Sequence, residues 1–97
     1  MYGTIAKMRL KPGMEQAFKE FGERASSPGA TPGLVFDYVF KLDSGNDEYF
    51  LVAGFTDKEA YTSNANSPEQ QKRYEEYRAL LAEDPEWHDG EIVFASK

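Results

Sequence analysis

Four residues in the second half of this 97-residue chain suit the handling of a small planar molecule: Tyr61, Asn64, Tyr74 and Tyr77. Tyr61 and Asn64 are three positions apart, as are Tyr74 and Tyr77, so on helices each pair shares a face. Phenolic hydroxyls and an amide at the edge of a cavity can bind and orient an electron-rich substrate. Tyr61 and Tyr74 are the two candidates for direct proton chemistry. Tyrosine gives up its proton reluctantly near neutral pH, so they suit donation to a developing oxyanion better than service as a base. The same tyrosines also fit a filled core with hydroxyls at its rim, and both readings stand at this point.

The stretch PEWHDGE holds the chain's single tryptophan, Trp87, and single histidine, His88. Asp89-Gly90 favours a tight turn, and a tryptophan just before it suits burial against the end of the last helix, with His88 pointing outward. In the alternative reading one of the two rings, Trp87 or His88, reaches a pocket mouth, and His88 there would be a ligand contact and the one side chain that ordinarily titrates near neutrality. With no second histidine spaced to join it, and no cysteine anywhere, the sequence points to no metal site and no disulfide. The acidic groups Asp47-Glu48, Glu75-Glu76 and Glu83-Asp84-Glu86 read as solvated loops and helix faces. Phosphate-cradling glycine loops, nucleophile elbows and dinucleotide fingerprints are absent from the sequence.

Seventeen acidic against eleven basic residues give a net charge of −6, which repels phosphate backbones and anionic membrane surfaces. Neither nucleic acid nor a membrane is an expected partner. No apolar run approaches the roughly 20 residues needed to span a bilayer, and the opening MYGTIAKMRLK lacks a signal-like core, which favours the cytosol. With 40% hydrophobic and 14% aromatic residues the chain can build a packed core, and its length sets one domain over 1–97.

The elements that must position these side chains follow from periodicity. Residues 2–10 alternate as a strand, and Lys11-Pro12-Gly13 ends it. From Met14, the positions Ala17, Phe18, Phe21 and Ala25 form one stripe of an amphipathic helix. A loop with two prolines and two glycines covers 26–33. GLVFDYVFKL then reads as a strand with Leu34, Phe36, Tyr38, Phe40 and Leu42 on one face, and DSGND turns it into YFLVAGF, apolar on both faces. Thr56-Asp57-Lys58-Glu59 has capping-box spacing for a short helix, and Ser67-Pro68-Glu69-Gln70 starts a longer one, to about Ala82. EIVFAS, 91–96, is expected as the last strand.

Strand, helix, strand, strand, split helix, strand is the ferredoxin-like βαββαβ plan of the α+β class: an antiparallel four-stranded sheet with its helices on one face. The strand apolar on both faces then leaves a second face that a monomer does not cover. A homodimer stacked through that face, a dimeric α/β barrel, would cover it.

Across essentially its whole length the chain resembles the antibiotic biosynthesis monooxygenase family. The resemblance is carried by the strand ending in MRLKPGMEQAF, by PGLVFDYVF after a Pro-Gly loop, and by the hairpin running into FTDKEAYTSNANSP. It implies a cofactor-independent oxygenase acting on a small aromatic or enolisable molecule. The same plan also suits a ligand-sequestering or stress-associated dimeric module, or an isomerase for a small carbonyl compound. Quinone-forming members carry a tryptophan at the end of the third strand and a tyrosine six residues on; the positions here hold Phe55 and Tyr61. Their asparagine falls at Leu51, and their last-helix arginine at Tyr74, beside Arg73. Haem-degrading members place an asparagine where this chain has Met8 and a histidine near Tyr74, which disfavours that chemistry. The resemblance adds Phe55 and Met8 to the expected substrate contacts.

Overall fold

The computed structural model describes residues 1–25, 27 and 29–96. Among them the chain runs β1 (Tyr2–Arg9), α1 (Glu15–Ala25), β2 (Leu34–Lys41), β3 (Glu48–Phe55), α2 (Lys58–Ala65), α3 (Pro68–Ala79) and β4 (Glu86–Glu91). The strands form one antiparallel sheet in the order β2-β3-β1-β4, with all three helices on one face. The fold is the ferredoxin-like α+β plan. Two positions of the loop expected over 26–33, Ser26 and Pro28, lie outside the described residues.

The core forms where α1 and α3 meet the inner face of the sheet. Ala6, Met8 and Leu10 from β1, Tyr49 from β3, Phe18 from α1, Tyr77 from α3 and Leu81 beyond it are all buried. Tyr77 stacks at tilted angles on Phe18 and Phe21, tying α3 to α1. Outside this cluster exposed ion pairs join α1 to α3, Arg24 with Glu76, and α1 to β2, Glu15 with Lys41, each of small net effect.

Capping chemistry sets the break between α2 and α3. Ser67 Oγ accepts from the Gln70 amide at 3.1 Å and Pro68 fills the first turn, as the serine-proline spacing predicts. At α2 the cap sits one residue later than the capping-box spacing suggests. Asp57 Oδ1 accepts from the Ala60 amide at 2.7 Å, while the Thr56 amide donates to Gly33 at the end of the sheet. A carboxylate near a helix N-terminus also meets the positive end of the helix dipole, which favours Asp57. The last helix ends at Ala79 rather than near Ala82, because Leu81 leaves it to bridge Leu10.

Two strands depart from the periodic reading. A register shift between Leu34 and Phe36 puts Leu34 opposite Phe55 but Phe36 opposite Gly54. Beyond it Phe36, Tyr38 and Phe40 lie on the outer face while Asp37, Val39 and Lys41 face the helices. One extra residue slips every later side chain to the other face, and alternation counted through a bulge stays one residue out of phase. At the far edge, β4 is EWHDGE, not EIVFAS. Asp89-Gly90 is extended strand paired with Thr4 and Gly3, not a turn. The chain leaves the edge after Ile92 donates to Met1, and Val93 and Phe94 stand exposed.

Candidate active site

Sheet register builds the floor of the site in rows. Asp37 on β2, Ala53 on β3, Thr4 on β1 and Asp89 on β4 are cross-strand partners, so they form one row across the inner face. The next row reads Val39, Leu51, Ala6 and Trp87. Small side chains at Ala53, Thr4 and Ala6 in the middle of these rows leave room above the sheet. Helices α1, α2 and α3 roof that room, enclosing a cavity of about 700 Å³. This volume fits a small organic ligand.

Tyr61 reaches down from α2 to the Asp89 end of the row. Its ring packs edge-on against Phe55 at 5.3 Å and against Tyr2 at 5.3 Å. Its hydroxyl donates to Asp89 Oδ1 at 2.8 Å. Burial, reinforced by that bond to a carboxylate, pushes the phenol up to about 12. Tyr61 therefore keeps its proton at neutral pH, points it at Asp89, and offers oxygen lone pairs to the cavity. The expectation of a phenol donating to an oxyanion changes accordingly: in this arrangement the Tyr61 hydrogen is committed to Asp89, and its oxygen faces the cavity as an acceptor.

On α3, Tyr74 and Tyr77 are neighbours, with ring centroids 6.3 Å apart. Tyr77 donates to the Met8 sulfur at 2.8 Å, and burial holds its phenol well above the ordinary tyrosine range. Its polar atom is satisfied within the wall, so it and Met8 contribute surface and shape. Tyr74 is more open, and Asn64 and Phe55 also line the cavity. Arg73 ties the roof to the loop before β2 by donating to Ala30 O and, at 3.0 Å, to Thr31 Oγ1. Thr31 in turn donates to Ala25 O at 3.0 Å, closing the link back to α1.

Of the residues singled out from sequence, Met8, Phe55, Tyr61, Asn64, Tyr74 and Tyr77 come together around this cavity. His88 does not. Its partner across the ladder is Ile5 on the outer face, and its Nε2 lies 2.9 Å from Glu86 Oε1. Strand alternation sends His88 one way and Trp87 and Asp89 the other. Trp87 accordingly lines the cavity at 42% exposure instead of packing on the end of α3. Sequence reasoning missed Asp89, since Asp-Gly reads as a turn, and Asp37, whose signal was a lone carboxylate in the apolar run LVFDYVF. Among the described residues no group of His, Cys, Asp and Glu is placed to hold a metal ion, and no helix is long and apolar enough to cross a membrane.

Known proteins agree with this architecture. A protein of Chloroflexus aurantiacus described as an antibiotic biosynthesis monooxygenase superposes with a TM-score of 0.79 at 25% identity, covering 99% of this chain and 96% of that one. A variant of SnoaB, a cofactor-independent oxygenase from Streptomyces nogalater, superposes with a TM-score of 0.80 at 16% identity, covering 97% and 94%. A Bordetella bronchiseptica protein of the same description gives 0.79 at 19% identity over 96% and 97%. No curated protein matches the chain in sequence. Residues 1–82 match the family described as antibiotic biosynthesis monooxygenase, and with the fold they establish that the chain belongs to that family.

Proposed function

We propose that the protein is a cofactor-independent monooxygenase for a small aromatic or enolisable molecule, working as a homodimer stacked through its outer sheet face. The observation that carries this reading is the cavity itself, in which Tyr61, Asn64 and Tyr74 converge with Asp89 over a floor of small side chains. The solved structure of SnoaB, a cofactor-independent oxygenase of the same fold, supports it. For the dimer, the support is an outer face with Ile5, Tyr38 and Phe40 exposed, at 48%, 60% and 53%. Contiguous exposed apolar surface of this kind marks an interaction site.

The reaction balances without a bound redox group. A substrate carbon bearing two hydrogens, activated by an adjacent hydroxyl or carbonyl, reacts with O₂ to give a ketone or quinone carbonyl and one water. The substrate's acidic hydrogen passes to Tyr61 oxygen as the Tyr61 proton passes to Asp89. The phenol lies near 12, so the two transfers are coupled and tyrosinate does not accumulate. The resulting anion gives one electron to O₂, and the two radicals join as a carbon peroxide. The proton held on Asp89 returns through Tyr61 to the peroxide, and loss of the remaining carbon-bound proton with cleavage of the O–O bond leaves the carbonyl and a hydroxide that takes up that proton as water. Asn64 and Tyr74 hold the ring in register throughout.

Oxygen uptake with a panel of dihydroxyaromatics tests the assignment. Tyr61→Phe breaks the relay and is expected to lower the rate by on the order of a hundredfold. Tyr74→Phe should act mainly on KM, and His88→Ala, on the opposite face, should leave uptake unchanged. Uptake by the wild type that survives Tyr61→Phe intact would remove the relay. Solvent deuterium entering the substrate with no oxygen consumed would instead mark an isomerase.

A further inference from the structure

The charge and geometry of the cavity also point to the kind of molecule it takes, an inference that rests on reading the cavity as a small-molecule site. The Asp37–Ala53–Thr4–Asp89 row crosses all four strands. With neighbouring strands about 4.8 Å apart, its outer Cα atoms stand about 14 Å from each other. Between them lie only a methyl and a small hydroxyl side chain. The trough so formed runs across the strands, flanked on one side by Phe55 and on the other by Leu51 and Trp87.

Both ends of this trough accept hydrogen bonds. A carboxylate offers about four acceptor positions, so one bond does not exhaust it. At the β4 end, Asp89 takes the Tyr61 hydrogen on Oδ1, leaving its other oxygen and the Tyr61 lone pairs to a ligand. At the β2 end Asp37 lines the cavity. The lining as a whole is acidic: among the described residues Asp37, Asp89 and Glu75 face one basic group, Arg73, whose guanidinium donates to Ala30 and Thr31. An anion entering here would meet like charge in a partly dehydrated space, in a protein already at −6.

We propose that the cavity selects a planar aromatic molecule, neutral or cationic, with a hydrogen-bond donor at each end, laid across the strands between Asp37 and Asp89. Carboxylated and otherwise anionic aromatics are excluded. The aromatic walls supply the apolar contact, and Trp87 and Phe55 add a favourable face for any ammonium group.

Four naphthalenes substituted at opposite ends test this by titration calorimetry: with two hydroxyls, two aminomethyl groups, two methoxy groups or two carboxylates. The diol and the diamine should bind. The dimethoxy compound, which keeps the shape but donates nothing, and the dicarboxylate should bind on the order of tenfold more weakly or worse. Asp37→Asn and Asp89→Asn, nearly isosteric, should each weaken the diamine about tenfold while leaving the dimethoxy compound unchanged. Equal or better binding of the dicarboxylate overturns the proposal, as does indifference of the diamine to either substitution or failure of all four to bind. Discrimination in this pattern without oxygen uptake would refute the oxygenase and leave the ligand class standing; uptake with an anionic substrate would do the reverse.

Discussion

One sheet presents two faces made on opposite principles. On the inner face the carboxylates stand at the edge strands, small residues occupy the middle, and the helices leave a cavity above them. On the outer face Phe36, Gly54, Gly3 and Gly90 form one row, and Tyr38, Val52, Ile5 and His88 the next. Apolar side chains there stand in the open, and the glycine row leaves a shallow trench beside them. Space lined partly by polar groups is tolerated because water or a ligand can satisfy them. The rings and branched chains of Phe36, Tyr38, Phe40, Val52 and Ile5 have no such recourse and gain stability by close contact with another surface, with His88 and Lys7 as polar groups beside them. The difference is what supports the proposed division, with ligand selectivity on the inner face and association on the outer one.

The largest effect on folding stability should come where the outer face is bare. A Cβ at Gly3 would collide with the carbonyl oxygen of Ala53, a backbone atom of the β1–β3 ladder that cannot rotate away. Gly3→Ala is expected to destabilise by about 3 kcal/mol, the upper end of overpacking, lowering Tm by roughly 12–24 °C for a chain of this size. Gly54→Ala meets the ring of Phe36 instead, a side chain that can move, and should lose only about 1 kcal/mol. Denaturant melts of the two variants compare a rigid neighbour with a yielding one on the same row, and the reverse order would refute that account.

Association should respond next. Tyr38→Lys combined with Phe40→Lys would bury two unpaired ammonium groups per protomer at the proposed interface. It is expected to raise the dimer Kd by on the order of a thousandfold or more. Sizing chromatography at micromolar concentration should then find a folded monomer where the wild type is a dimer. Ligand binding in the cavity should survive, since both substitutions lie on the far side of the sheet. Loss of cavity binding together with the dimer would break the division between the faces and make the partner part of the site.

How much of this was legible depended on whether composition or register decided it. Periodicity located both halves of the split helix, and Ser67-Pro68 marked its break, because caps are written in local residue types. It also carried Tyr61, Asn64, Tyr74 and Tyr77 to the cavity, while Met8 and Phe55 came from the family resemblance. It failed where pairing overrides local preference. The bulge before Phe36 adds one residue without any change in composition, so the faces of β2 reversed unseen. At β4 an edge strand of mixed polarity lost the reading to the greasier EIVFAS beside it, although pairing with β1 holds EWHDGE extended. That single misplacement concealed Asp89 and the inward side of Trp87, while the outward reading of His88 agrees with its pairing to Ile5.

The subtlest test concerns the Tyr61–Asp89 bond, the polar anchor of the inner face. Burial is the first cause of the elevated Tyr61 phenol and the carboxylate the second. Asp89→Asn should therefore move its titration from about 12 toward the ordinary value near 10 without reaching it, because burial remains. Tyrosinate absorbance against pH, differenced against Tyr61→Phe, isolates the group. Tyr77, raised chiefly by its own burial and packed away from Asp89, should titrate unchanged. Stability follows with a definite sign. A phenol whose folded value lies above its unfolded one contributes fully below about pH 10, and that contribution is lost as pH climbs from 10 through 12. The asparagine variant, with the smaller difference, should lose less stability over that window than the wild type. An unchanged Tyr61 titration in Asp89→Asn would mean that burial alone sets the phenol, and the inner face would lose its claim to a built proton path.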